Sequence, residues 1–267
     1  MEKDNLLTSS QLTLLLVGSM IGVGVLTLPL DTVKIAKQDG WISAGLGMIY
    51  PTYFILLAQY MHKKFPKENV LMLSNKCFGK FLGNILNFIF LSFFLIATTE
   101  VASGINNVLS IYMVPFLTKY KILITLFLPP AFVAYKGIKA LARMNEVVFY
   151  VTFVAFLIPI AALREGSLLN ITPVLGSGVI NIIKSTKDTT LAYCGIEIIL
   201  LIYPFFQDNK KLRKCGITGT IITGVSYVWF TFISIFYLGI NIVPKFLWPV
   251  VTVTEAITIP IINSFRY

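Results

Sequence analysis

Histidine is almost absent from this chain: His62 is the only one in 267 residues. Cysteine is scarce and odd in number, with Cys77, Cys194 and Cys215 standing far apart. So few nitrogen and sulfur ligands leave no material for a zinc site, and three dispersed cysteines make no disulfide framework. Charge is the third shortage. Charged residues make up 13% of the chain, where an average soluble domain carries about 25%. No nucleophile–base set and no cofactor loop can be assembled from the remainder, so the sequence reads as no enzyme and as carrying neither metal nor cofactor. A signal-peptide pattern is also missing. Glu2, Lys3 and Asp4 open the chain, no small-residue cleavage site follows a short apolar core, and the first span is expected to be retained.

What is present is apolar. Hydrophobic residues make up 56% of the chain and its mean hydropathy is +0.81. This is the composition of an all-α integral membrane protein, with the lipid bilayer as its surroundings. The net charge of +10 does not point to nucleic acid, because lysines and arginines sit in short runs between hydrophobic segments rather than on one face or tail. About seven spans are expected, at 11–36, 41–61, 82–112, 121–137, 145–163, 177–206 and 215–240. Trp41 and Tyr60 read as interfacial aromatics of the second span, and His62, beside Lys63 and Lys64, as an interfacial residue. The connections after the second, fourth and sixth spans carry the basic runs: Lys63 to Lys80, Lys136 to Arg143, and Lys210 to Lys214. The positive-inside rule then places these loops and the N-terminus in the cytoplasm. Glu68 to Lys80 is amphipathic and too short to span, so it is expected to lie along the interface.

The first hydrophobic segment is broken by its own composition. Val17-Gly18-Ser19-Met20-Ile21-Gly22-Val23-Gly24-Val25-Leu26-Thr27-Leu28-Pro29 puts three glycines and a proline into one span. Glycine costs a helix interior about 1 kcal/mol relative to alanine, and proline about 3. An unwound stretch at Gly22, Val23 and Gly24 frees backbone N–H and C=O groups, which a bilayer tolerates only where they meet a cavity, a solute or other protein. Half-helix N-termini suit a carboxylate and half-helix C-termini suit a cation, so an amino-acid zwitterion fits such a break. The alternative is close helix packing, since Gly18 and Gly22 form a small-xxx-small pair. The sixth segment repeats the pattern: Leu191-Ala192-Tyr193-Cys194-Gly195-Ile196-Glu197 is followed by an apolar run interrupted at Pro204.

Glu197 is an intramembrane carboxylate, costing at least ~2.5 kcal/mol to insert, and is functional by default. Three roles stand open: contact with a ligand amine, proton carriage, or a structural bond to backbone N–H groups at the break. Thr98 and Glu100 head a polar stripe on the third span, with Thr99, Ser103, Asn106 and Asn107. It fits a water-filled pathway or interhelical hydrogen bonding equally well. Pro129, Pro130 and Pro159 are expected to kink spans four and five. Broken spans at positions one and six suggest an inverted repeat of five plus five helices. Residues 1–267 then form one permease-like domain, with a first repeat over about 11–163 and a partial second over about 177–267. The tail from Lys245 reads as an external loop leading to an eighth span. Helices 8–10 are thus expected to be missing, as in a truncated chain, a split gene or a frame-disrupted gene.

Several motifs in order carry a resemblance: Gly22 to Pro29, Asp39-Gly40-Trp41-Ile42, Arg143, Pro173-Val174-Leu175-Gly176-Ser177-Gly178, Gly195-Ile196-Glu197, Leu247-Trp248-Pro249, and Ile259 to Arg266. Together they resemble the endospore-germination permeases, the B subunits of spore germinant receptors in the amino acid–polyamine–organocation (APC) transporter superfamily. The resemblance implies a ten-helix, LeuT-like fold, here shortened to about seven transmembrane helices with helices 1 and 6 broken. It further implies a spore germination protein of the spore inner membrane that binds a small germinant, an amino acid above all, and signals to receptor subunits A and C. By position, the pocket backbone would be Gly22, Val23 and Gly24, with Tyr193, Cys194 and Gly195 opposite. Two rival functions stand beside this: an amino acid/proton secondary transporter using Glu197, and a remnant with neither activity.

Overall fold

A computed structural model of the chain describes residues 6–206 and 208–256. Among these residues the structure is helical, with no strand. Helix α1 (Ser9–Met20) opens on a capping box, in which Thr8 Oγ1 accepts the Gln11 N–H at 3.2 Å and Gln11 Oε1 accepts the Thr8 N–H at 3.1 Å. It stops at Ile21, which turns extended while its N–H still reaches the Val17 carbonyl at 2.9 Å. The chain resumes as α2 (Gly24–Ala36), so the break expected within 11–36 is present. After a 3-10 turn at Lys37–Asp39 come α3 (Gly40–Leu46) and α4 (Ile49–Lys64).

The expected second span, 41–61, is therefore interrupted at Gly47 and Met48. Gly47 keeps helical dihedral angles, and it is glycine because α8 comes close. A Cβ there would lie 2.5 Å from Thr189 Oγ1 and 2.7 Å from Tyr193 Cε2. Helix α5 (Val70–Val108) is capped by Asn69 Oδ1, which accepts the Met72 N–H at 3.0 Å, and it turns at Gly79, where φ is 76°. This corner makes the amphipathic segment a separate arm, as its composition predicts. A wider π turn follows at Leu109–Met113. Helix α6 (Lys119–Tyr135) carries Pro129 and Pro130 inside one helix. Helix α7 (Ile138–Ala155) ends at the residue whose carbonyl Pro159 has no N–H to bond, and the chain rewinds as a 3-10 helix at Ile158–Arg164.

The sixth segment comprises α8 (Val179–Ala192), a 3-10 turn at Ile196–Ile198, α9 (Ile199–Ile202) and a second 3-10 turn at Tyr203–Phe205. Its two halves meet at a bend of 56°. Helix α10 (Asn209–Leu238) starts where Asp208 Oδ1 accepts the N–H groups of Lys211 and Lys210 at 3.1 and 3.0 Å. These bonds, the Lys211 backbone N–H foremost, hold the Asp208 carboxyl below its ordinary pKa. Helix α11 (Pro249–Ala256) corrects the loop expected from Lys245 onward: Pro249, Val250 and Val253 are buried and the helix packs on α2. The expectations for Glu2 to Asp4 and for Ile259 to Arg266 lie outside the described residues.

Among the described residues, four helical stretches are long and apolar enough to cross a bilayer: Gly24–Lys64, Val70–Met113, Ile138–Arg164 and Lys210–Leu238, with the bent sixth segment as a fifth. Seven were expected. The first segment divides at its glycines, leaving α1 with 12 residues while α2 runs on into α3 and α4. Helix α6, with 17 residues, rises roughly 26 Å, short of the ~30 Å hydrocarbon core.

Contacts divide the chain into two compact units that alternate along it. The first holds residues up to Val23, Pro51–Phe149 and Cys194–Gly219, and the second holds Gly24–Tyr50, Tyr150–Tyr193 and the chain from Thr220 onward. In the first unit, Asn145 Nδ2 of α7 donates to the Leu14 carbonyl of α1 at 2.5 Å, and Ser10 Oγ donates to Glu146 Oε1 at 2.6 Å. His62 is buried rather than interfacial, its ring 5.7 Å from that of Tyr203, whose hydroxyl donates to the Glu68 carbonyl. Tyr60 is exposed, with the Lys64 ammonium 4.9 Å from its ring, as an interfacial residue would be.

In the second unit, α8 docks on α2 and α3 through hydroxyls. Ser185 Oγ donates to the Thr32 carbonyl at 3.3 Å, Ser43 Oγ to the Ile182 carbonyl at 2.9 Å, and Thr189 Oγ1 to the Ser43 carbonyl at 3.4 Å. Val33, Ala162, Ile171, Ile233, Phe236, Val243 and Val253 form its apolar core. Trp41 packs edge-on against Phe232 with its indole N–H buried and unpaired, so it serves this packing and not an interface. Asp39 is fully buried. Its carboxylate accepts the Leu175 N–H at 2.7 Å, the Ser177 N–H at 2.9 Å and the Ser177 hydroxyl at 2.7 Å. Beside it, Gln38 Nε2 donates to the Pro173 carbonyl at 3.0 Å. Asp39 thereby fastens the turn that leads into α8.

Replacing Asp39 with alanine removes the acceptor for three donors, at a cost of about 1–3 kcal/mol, since part of the turn can turn to water instead. Hydrogen exchange at the Leu175 and Ser177 amides should accelerate by about tenfold or more. Asp39→Asn, which keeps one acceptor oxygen, should show an intermediate acceleration.

Candidate functional site

The break in the sixth segment rests on Gly195. Its φ of 111° lies in the left-handed region, which costs an L-residue roughly 1–2 kcal/mol. A Cβ there would also fall 2.0 Å from the Ser19 carbonyl oxygen and 3.6 Å from the Met20 nitrogen. Conformation and space therefore both require glycine, and the last turn of α1 lies directly against Gly195. The Gly195 N–H donates to Glu197 Oε2 at 2.7 Å, and the Glu197 side chain is buried. Of the three roles open to Glu197, the bond to a freed backbone donor is the one visible in the structure. A charged acceptor makes a stronger bond than a neutral one, which helps to offset the cost of burying the carboxylate.

Gly22 and Val23 follow α1 in the same unit and face α5. A Cβ on Gly22 would sit 3.6 Å from Val101 Cγ2, an ordinary contact, so no neighbour demands glycine there. Helix α5 closes on Val23 through Gly104, where a Cβ would lie 2.8 Å from Val23 Cγ1. Gly18 leaves room for Asn145, whose Oδ1 would be 2.0 Å from a Cβ at that position. Close packing thus accounts for Gly18 but not for Gly22.

The second unit holds Gly24 and Tyr193. Gly24 begins α2 against the end of α8, with 3.3 Å between the site of its absent Cβ and Ala192 Cα. Tyr193 is fully buried and its hydroxyl donates to the Ala44 carbonyl at 2.9 Å. Tyr227 of α10 packs beside it with the rings tilted by 51° and their centroids 4.7 Å apart, and donates to the Ala192 carbonyl at 2.7 Å. That carbonyl belongs to the last turn of α8, where no intrahelical donor reaches it. The side chain of Tyr193 is therefore a packing post, and only its backbone is part of the break.

Cys194 is half-buried and in no disulfide. Thr98 and Glu100 do not join the other candidates. Both are exposed on α5 and neither side chain makes a hydrogen bond among the described residues. Glu100 stands two residues from buried Ala102, which puts it on the opposite face of the helix. Sequence reasoning passed over Ser19, Gly104, Asn145 and Tyr227. A tyrosine in an apolar span was a usable signal for Tyr227, because its hydroxyl needs a partner when buried. The other three act through contacts that no local pattern encodes.

The family model described as "Spore germination protein" matches residues 6–267. The chain belongs to this family. Among its curated relatives is spore germination protein YndE of Bacillus subtilis (strain 168), 25% identical over 256 residues, covering 95% of this chain and 70% of that protein. Spore germination protein B2 of the same strain is 24% identical over 269 residues, covering all of this chain and 73% of its own length. Spore germination protein GerQB of Bacillus cereus is 20% identical over 254 residues, with 95% and 70% coverage. Membership is in accord with a helical protein rich in bilayer-length apolar segments, and it covers both helix breaks.

The two glycines most prominent at the breaks should respond differently to a methyl group. Gly195→Ala meets a forbidden φ and a backbone oxygen, and should lose about 2 kcal/mol or more of stability. Gly22→Ala should change stability by less than about 1 kcal/mol. Thermal unfolding of the purified chain in detergent, followed by tryptophan fluorescence, should show a midpoint lowered by several degrees for Gly195→Ala only.

Proposed function

We propose that this chain is the membrane subunit of a spore germinant receptor, binding a small nutrient of the amino-acid class at the unwound parts of the first and sixth segments. The observation that carries this reading is the pair of breaks in a member of the spore germination protein family, one of them built around a buried carboxylate. The chemistry is complementary to a zwitterion. Half-helix N-termini suit the ligand carboxylate, and half-helix C-termini suit its ammonium. Gly22, Val23 and Gly24 would supply backbone groups from one break, and Tyr193, Cys194 and Gly195 from the other. The frame is the LeuT-like inverted repeat of the APC superfamily, with a cytoplasmic N-terminus and a location in the spore inner membrane. Binding shifts a receptor only through differential affinity for its two states, and the shift passes to subunits A and C.

Substitutions that leave the fold standing test this reading. Glu197→Gln keeps an acceptor for the Gly195 N–H and removes the charge. It should weaken germinant binding to the intact receptor by about tenfold, the scale of one hydrogen bond to a charged group. Gly22→Ala, sterically accommodated, should also weaken binding by placing a methyl group at the break. Unchanged affinity in both variants would overturn the assignment of the pocket. The same buried carboxylate favours one second reading, proton-coupled amino-acid transport. Uptake of labelled amino acid into proteoliposomes, abolished by Glu197→Gln, would decide for transport.

A further inference from the structure

The arm that precedes Gly79 and the helix that follows it enclose a cleft of about 340 Å³ within the first unit. The corner is held from inside. Ser74 Oγ donates to the Gly83 carbonyl at 3.3 Å and Asn87 Nδ2 to the Leu71 carbonyl at 3.0 Å. Gly83 permits the crossing, since a Cβ there would be 2.6 Å from Asn75 Cα. With these polar groups spent on the corner, the lining is left to Val70, Leu71, Cys77, Phe78, Leu86 and Phe90.

The rim is cationic. Lys76 and Lys80 flank the lining pair Cys77 and Phe78, and Lys63, Lys64 and Lys67 precede the arm. Lys76 is paired with Glu68 at 2.9 Å. Lys63, Lys67 and Lys80 make no ion pair among the described residues. An apolar slot on an amphipathic arm that carries exposed Lys76 and Lys80 beside its lining residues has two requirements at once: aliphatic chain inside and negative charge nearby.

We infer that this cleft is a binding site for an anionic phospholipid, one acyl chain lying between the two arms of α5 and the phosphate resting on Lys76 and Lys80. The inference is independent of the germinant reading. The lipid would brace the arm against the helix, adding to the side-chain bonds of Ser74 and Asn87 that join them.

Cys77 provides the probe, because its exposed thiol lines the cleft. The full chain is reconstituted into vesicles of phosphatidylcholine alone or of phosphatidylcholine mixed with phosphatidylglycerol. Modification by N-ethylmaleimide is then followed by peptide mass spectrometry, so that Cys77 is read apart from Cys194 and Cys215. Phosphatidylglycerol should slow Cys77 labelling by about fivefold for each lysine engaged. The exposed double substitution Lys76→Gln with Lys80→Gln should return the rate to its value in phosphatidylcholine. Leu71→Trp, which fills the cleft, should slow labelling in both vesicle types and remove the difference between them. Equal rates in the two lipid mixtures would overturn the proposal. So would a difference that persists in the double variant, which reports surface charge alone. Protection that needs added receptor subunits and ignores phosphatidylglycerol would assign the cleft to a protein instead.

Discussion

Inside a bilayer, every backbone N–H and C=O must find its partner within the protein, and this constraint weighs most where a helix is broken. The structure meets it with side chains drawn from the immediate surroundings. Glu197 turns back by two residues to take the Gly195 N–H, and Tyr227 reaches across from α10 to the Ala192 carbonyl. Tyr193 secures Ala44 in the same way. A carboxylate and two tyrosines buried in apolar segments would otherwise be liabilities. At the breaks they are what lets the backbone leave the helix. The same rule operates away from the breaks, where Asp39 gathers the donors of the turn before α8.

The glycines serve this scheme in distinct ways. Gly195 is required by its dihedral angles and by the Ser19 carbonyl, whereas Gly104 and Gly18 are required only because Val23 and Asn145 come close. Gly22 is confined by neither. A glycine without a packing partner, at the point where α1 stops, is available for something other than packing. Glu197 shows the converse: its carboxylate is committed to the Gly195 N–H at the break.

The broken helices and the corner at Gly79 divide labour along the chain. The breaks sit in apolar segments, where freed carbonyl and amide groups are met by buried side chains. The corner sits beside a run of lysines where a membrane surface is the natural neighbour. The sixth-segment break and the corner each turn at a glycine with positive φ, Gly195 and Gly79. What differs is the chemistry around the turn, a carboxylate and tyrosines in one case, lysines and aliphatic side chains in the other.

Much of this was legible in the residues alone. Composition identified the membrane protein, glycine spacing located both breaks, and amphipathicity separated the arm before Gly79 from the span after it. These are local properties: propensity and periodicity act over a few residues and need no knowledge of what lies opposite. The count of spans was less legible, because the first segment divides at its glycines while α2 runs on into α3 and α4, and α11 forms where a loop was expected by packing on α2. Thr98 and Glu100 read as pathway residues from their neighbours in sequence; the fold leaves both exposed on α5, and which side of a long helix is covered depends on its partners. The roles of Ser19, Asn145, Tyr227 and Asp39 were likewise decided by tertiary structure. Each acts on a backbone group from a distant part of the chain, and only the folded arrangement determines which orphaned N–H or C=O a side chain will meet.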